Sequence, residues 1–163
     1  MNSPANLQQR SAEWHEARIG RVTASMAGAA LGVDPFTTPD QAVRRMVRAA
    51  KGAEPEFTGN VATEYGEEHE DKAFNWALFE SGISFQKVGF YEYDDWLGAS
   101  PDGLSEDGIL LEIKCPYGAR ETGEFKKLKD LPHYYAQMQT QMLVCESQSC
   151  LFVQWSPKGA RME

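Results

Sequence analysis

The sequence predicts an α/β fold in which a mixed central β-sheet is flanked by helices. Three observations predict it. Residues 61–81 carry one long helical pattern, closed by Gly82, a residue that readily takes the left-handed conformation at a helix end. Residues 97–104 and 109–115 read as a hairpin, with turn signatures at Ser100-Pro101-Asp102-Gly103 and Ser105-Glu106-Asp107-Gly108. A helix opened by Pro132 is followed by a last strand over 148–155. At 163 residues the chain is the size of a single domain, and residues 1–163 are taken as one.

The remaining elements follow in order. Residues 1–10 read as a loose arm. Ser11 is placed to cap a helix over 11–19, with Trp14, Ala17 and Arg18 at helical spacing. Thr23 or Ser25 caps a short helix ending at Gly32, and a two-proline loop follows. Thr38 caps a helix that starts at Pro39 and runs to Ala50. Val43, Met46, Val47 and Ala50 form its apolar stripe, and Arg44, Arg48 and Lys51 form a solvated face. Residues 51–60 form a second loop. Residues 83–93 are β-prone, and 96–99 begin the next strand. From Ala119 the chain reads as helix broken by Gly123, then a basic loop. On the helix from Pro132, Tyr135, Met138, Met142 and Cys145 make an apolar stripe, while Tyr134, Gln137 and Gln141 fall on another face.

Hydrophobic content of 42% and charged content of 25% are those of an ordinary globular protein. No apolar run reaches bilayer-spanning length, and the N-terminus lacks a signal-peptide core, so a cytoplasmic protein is expected. Cys115, Cys145 and Cys150 lack metal-site spacing and read as reduced thiols. A formal net charge of −8 opposes nonspecific binding to nucleic acid, although a local basic channel is compatible with it.

The chemistry is concentrated between residues 97 and 116. In a strand over 109–115, Leu110, Glu112 and Lys114 share one face, and Ile109, Leu111, Ile113 and Cys115 share the other. Glu112 and Lys114 can therefore serve one site, and the turn delivers Asp102 to it. Carboxylate and carbonyl oxygens hold hard cations, which makes Asp102, Glu112 and the backbone carbonyl of Ile113 candidate ligands for Mg²⁺, with Mn²⁺ able to substitute. Such an ion activates water and a phosphoryl oxygen, and Lys114 can position or help deprotonate that water. Glu70, one turn before the buried Phe74, is a candidate supporting acid. Gln137 is a candidate to orient the water or a carboxylate. Arg18, Ser25 and Arg120 are candidates for binding DNA phosphate.

These segments carry a resemblance. Pro101-Asp102 followed by Glu112-Ile113-Lys114 resembles the PD-(D/E)xK nuclease superfamily. R-I-G-R-V-T-A-S at 18–25, G-E-E-H-E at 66–70, S-P-D-G-L at 100–104, L-E-I-K-C-P at 111–116 and Y-Y-A-Q-M-Q at 134–139 occur in the order found in lambda-type phage recombination exonucleases, the alkaline exonuclease family. The resemblance spans residues 10–157. It implies a restriction-endonuclease-like core, and Mg²⁺-dependent 5′→3′ digestion of one strand of linear double-stranded DNA. It also implies a ring-shaped homotrimer, a single-strand annealing protein as partner, and a phage or prophage setting in a bacterial host. By position, Asp102, Glu112 and Lys114 resemble the catalytic core, and Glu70 and Gln137 its supporting acid and amide. Arg18, Ser25 and Arg120 resemble the pocket for a 5′-phosphate. Two features depart from the pattern. Loop 32–38 has no basic residue where lambda-like enzymes carry an arginine. The chain also stops at Glu163 where relatives continue, so a truncated or disordered C-terminal region is expected. A restriction- or repair-type endonuclease and a non-catalytic DNA-end-binding module are the competing readings.

Overall fold

The structure is a computed structural model that describes residues 7–53 and 59–163. Residues 1–6 of the expected arm and 54–58 of the second loop lie outside the described residues. The helices are α1 (Ala12–Ala17), α2 (Ala27–Ala30), α3 (Pro39–Ala50), α4 (Val61–Ser81) and α5 (Pro132–Val144). The strands are β1 (Val22–Thr23), β2 (Phe85–Gln86), β3 (Tyr91–Glu92), β4 (Leu97–Ala99), β5 (Gly103–Ser105), β6 (Leu110–Lys114), β7 (Cys150–Ser156) and β8 (Gly159–Met162). Among the described residues no helix is long and apolar enough to cross a membrane.

The expectations for Ser11, Thr38 and Gly82 hold, but Thr23 makes no side-chain capping bond and Met26, not Ser25, stands at the N-cap of α2. The Ser11 side chain accepts from the Trp14 N–H. Thr38 and Gln41 form a reciprocal capping box ahead of Pro39. Asn60 caps α4 through the Ala62 and Thr63 N–H groups, and Gly82 ends it in the left-handed conformation.

The strands form two sheets. The larger has the order β2-β5-β6-β7-β8, with β6 and β7 parallel and the other pairs antiparallel. Helix α5 supplies the crossover that a parallel β6–β7 pair needs. The smaller sheet has the order β1-β4-β3. Strand β6 is the centre of the molecule, and its two faces feed different cores. Leu110 packs with Ala99, Val144 and Cys145, on the α5 side. Leu111 and Ile113 pack with Ala73, Phe74 and Ala77 of α4.

Several expectations are corrected. The expected hairpin arm 97–104 is two pieces. Residues 97–99 pair in the smaller sheet, and only 103–105 pair with β6. The chain changes sheets at Ser100-Pro101-Asp102, because proline cannot donate to a ladder. The β-prone stretch 83–93 divides in the same way, into β2 and β3 in different sheets. Between Pro116 and Pro132, where a helix from Ala119 was expected, there is no α-helix, only short 3₁₀ turns at Tyr117–Ala119 and Leu128–Asp130. On α3 the expected apolar stripe is out of phase: Val43 and Val47 are exposed, and Ala42 is buried instead. Small residues set this packing. Gly28 of α2 lies so close to α5 that a Cβ there would sit 2.7 Å from the His133 Cβ. On α5, Tyr135 is exposed and the Gln137/Gln141 face is buried. Beyond the last expected strand, residues 159–162 form one more, β8, after the Pro157-Lys158 turn.

Candidate active site

Glu112 is 2% exposed at the middle of β6. A carboxylate is stable there only because every face of it meets a donor. The Gln137 Nε2 donates to Oε1 at 2.6 Å, and the Gln141 Nε2 donates to Oε2 at 2.6 Å. Lys114 Nζ lies 2.6 Å from Oε1. Alternation along β6 puts Lys114 on the Glu112 face, and helical spacing puts Gln137 and Gln141 one turn apart on α5.

Asp102 reaches the same place from the other side. Strand β5 begins just after it, so Asp102 lies where β5 leaves β6. Its backbone N–H bonds the Leu111 carbonyl at 2.9 Å. Its side-chain Oδ2 accepts from the Ile113 N–H at 2.6 Å, in place of the missing strand partner. The N–H and C=O of one strand residue point to the same edge, so the Ile113 carbonyl also faces this gap.

The electrostatics follow from two carboxylates sharing one ammonium. Burial, reinforced by the neighbouring Glu112 charge, pushes the Asp102 carboxyl well above its usual range, against the opposing pull of Lys114 and the Ile113 N–H. Burial works against the Lys114 ammonium, but Glu112, Tyr134 and Asp102 together outweigh it and raise the Lys114 pKa. Lys114 is therefore a cation at neutral pH, stacked 5.2 Å over the Tyr134 ring. It is suited to stabilising charge and donating hydrogen bonds rather than to abstracting a proton.

Glu70 does not join this cluster directly. It pairs with Arg10, which the sequence left in a loose arm. Gln9 ties that arm down by donating to the Val88 and Pro101 carbonyls. Arg10, Glu67 and Glu70 line two adjoining cavities of about 710 and 700 Å³. Asp102 opens on the first, and Ile113 and Lys114 on the second. Loop 32–38 offers Phe36, 81% exposed, at the rim of the second. Two Asp34-capped N–H groups, of Phe36 and Thr37, hold the loop.

Arg18 and Ser25 come together as expected, with the Arg18 Nη2 3.4 Å from the Ser25 Oγ. They line a cavity of about 250 Å³ with Thr23, Arg21 and Arg45. The Arg18 guanidinium stacks 3.9 Å over Trp14 and has no carboxylate partner among the described residues. Burial lowers its pKa to about 10. A desolvated cation lacking a counter-ion is what an incoming anion would complete. Trp14 in turn donates to the Ser100 Oγ at 2.8 Å, which links this cavity to the chain just before Asp102. Arg120 does not line it. Arg120 stacks on Tyr117 and pairs with Glu121.

Sequence reasoning passed over Arg10, Phe36 and the role of Gln141. Only Gln141 carried a signal, its helical spacing from Gln137.

A YqaJ-like viral recombinase domain model matches residues 13–148. The chain belongs to that family. A crystal structure of an alkaline exonuclease (LHK-Exo) from Laribacter hongkongensis is 30% identical, with a TM-score of 0.75 over 94% of this chain and 80% of that one. A crystal structure of LHK-Exo in complex with dAMP is 29% identical and covers 94% of this chain and 82% of that chain, again with a TM-score of 0.75. Similarity to both places the chain in the lambda-type recombination exonuclease family and its fold in the PD-(D/E)xK class. A phage-related exonuclease from Haemophilus somnus 129PT shares the fold at 19% identity and a TM-score of 0.67, over 87% of this chain and 70% of that one. An uncharacterized protein, R354, of Acanthamoeba polyphaga mimivirus is 28% identical over 91% of this chain. The chain spans 29% of the length of that relative.

Proposed function

We propose that this protein is a Mg²⁺-dependent 5′→3′ exonuclease that hydrolyses one strand of linear double-stranded DNA, serving phage-type recombination by single-strand annealing. The observation that carries the reading is the convergence of Asp102, Glu112 and Lys114 at the gap between β5 and β6. Family membership supports it, and so does the likeness to an alkaline exonuclease.

The residues fit a hard divalent cation. Two carboxylates face one ammonium, which leaves the cluster a negative charge in excess. The available donors are oxygens: Asp102, Glu112 and the Ile113 carbonyl. Among the described residues no three His, Cys, Asp or Glu side chains group closely enough to hold an ion by themselves. Mg²⁺ suits such a sparse set, since it keeps several waters and needs only one or two carboxylates. Mn²⁺ has the same preference for oxygen and would substitute. Glu70 would support the ion only after leaving Arg10.

When bound, the ion supplies Lewis-acid activation of the scissile phosphoryl group and of water. The chain's own residues do the rest. Gln137 and Gln141 fix the Glu112 carboxylate. Lys114 donates to the phosphoryl oxygens and offsets the charge that builds there. Water adds to phosphorus, the bond to the 3′-oxygen of the terminal nucleotide breaks, and that oxygen takes a proton. The shortened strand is left with a new 5′-phosphate, and Arg18 and Ser25 would bind it. The partners of this reading are linear duplex DNA, two further copies of the chain in a ring trimer, and a single-strand annealing protein. Its location is the cytoplasm of a bacterial host.

The test compares linear and closed circular duplex DNA in Mg²⁺ and in Mn²⁺. Nucleotide release from the linear form alone is expected, with loss in Lys114→Ala. Cutting of the circle would instead favour an endonuclease.

A further inference from the structure

We propose that Gln141 is a positioning residue for the cation, acting through Glu112. The inference rests on the metal-nuclease reading above and goes beyond it by giving the second buried amide a role.

Gln141 is fully buried. Its Nε2 meets the Glu112 Oε2 at 2.6 Å, while Gln137, one turn earlier on α5, takes Oε1. The two amides thus hold separate oxygens of one carboxylate and fix the plane of the group. The opposite amide orientation would set two oxygens against each other, so the donor assignment follows from the contact. This arrangement has a cost. The Gln141 Oε1 is buried with no hydrogen-bond partner, and such an atom forfeits its hydration. The same face of β6 and the next turn of α5 are apolar, with Leu110 packed on Val144 and Cys145. A methionine at 141 would fill similar space without an orphaned oxygen. Stability alone therefore does not account for glutamine here. Orientation of a cation-binding carboxylate does, because groups that hydrogen-bond a ligating carboxylate set its geometry and tune its affinity.

The experiment titrates Mn²⁺ into metal-free protein, without DNA, by calorimetry. The wild type is compared with Gln141→Met, and thermal melting of both is recorded. The expected result is Mn²⁺ binding weakened about tenfold or more in the variant, with a melting temperature equal to or above wild type. Nucleotide release should then recover as Mn²⁺ is raised, so that the metal requirement shifts more than the maximal rate. Gln141→Asn, whose shorter amide cannot span to Glu112, should behave likewise. Equal Mn²⁺ affinities in wild type and Gln141→Met would overturn this proposal and leave the nuclease reading standing. A lower melting temperature with unchanged affinity, or failure of both variants to fold, would make Gln141 a structural residue and overturn it too. Absence of Mn²⁺ binding by the wild type would overturn the metal-site reading and this inference with it.

Discussion

Replacing Asp102 by asparagine should destroy activity and at the same time stabilise the metal-free protein. The side chain is nearly isosteric, and its carbonyl can keep the bond from the Ile113 N–H. What disappears is a negative charge held beside Glu112 in a poorly solvated gap, where burial and that neighbour already disfavour ionisation. Replacing a buried ion pair by apolar groups of similar volume is neutral or stabilising by up to about 4 kcal/mol, and removing a carboxylate held against a like charge acts in the same direction. Asp102 keeps some contact with solvent and loses its attraction to Lys114 on substitution, so about 1–2 kcal/mol is the appropriate part of that range. For a domain of this size, that corresponds to a rise of roughly 2–8 °C in Tm. The assay is thermal melting in EDTA at pH 7.5, paired with nucleotide release in Mg²⁺.

The pH dependence has a definite sign. The folded-state pKa of Asp102 lies above the unfolded value of about 3.9. Between the two the native state binds more protons, so stability from this group falls as pH rises through that window. The Tm advantage of Asp102→Asn should therefore be full above the folded-state pKa and shrink as the pH falls toward about 4. Saturating Mg²⁺ should reverse the order. A ligand at a hundred times its Kd adds about 2.7 kcal/mol to the state that binds it, and only the wild type binds well. An unchanged or lowered Tm in EDTA at pH 7.5 would refute the claim that the carboxylate pair is held against its own repulsion.

Three further outcomes are expected. Arg18→Ala should weaken binding of a 5′-phosphorylated duplex by roughly tenfold to a hundredfold, the worth of a charge-assisted hydrogen bond of about 1.5–3 kcal/mol, and should leave binding of the 5′-hydroxyl duplex unchanged in a Ca²⁺ binding assay. Arg10→Ala breaks an exposed ion pair, so its melting temperature should hardly move. Freed Glu70 should lower the Mg²⁺ concentration needed for half-maximal rate, whereas an increase would mean that Glu70 does not serve the ion. Gly28→Ala forces a Cβ into His133 and should cost about 1–3 kcal/mol in denaturant titration.

The helices were legible in the sequence because their ends are written in local chemistry. Ser11, Thr38, Gly82 and Pro132 mark boundaries with residues that meet the boundary itself. The strands were less legible because pairing partners decide them. Residues 83–93 look like one strand, yet two short segments of it join different sheets. The α3 stripe was misread because Ala42 rather than the larger valines faces the interior, where Gly28 lets α2 and α5 meet. On α5, hydrophobicity pointed to Tyr135 as interior, but the interior there contains a carboxylate, and glutamines suit it better. The Ser156-Pro157-Lys158-Gly159 segment was a readable turn signal for β8. Asp102, Glu112, Lys114 and Gln137 were all placed together as expected. The Arg10–Glu70 pair, sixty residues apart, had no local signature.

The measurement that bears most directly on the central claim is digestion, in Mg²⁺, of a linear duplex whose strands are labelled separately at each end, with and without a 5′-phosphate. The account predicts mononucleotides released in order from the 5′ end of one strand, faster when that end is phosphorylated, and none from Lys114→Ala. Release from the 3′ end, internal fragments, or the same products from Lys114→Ala would contradict it.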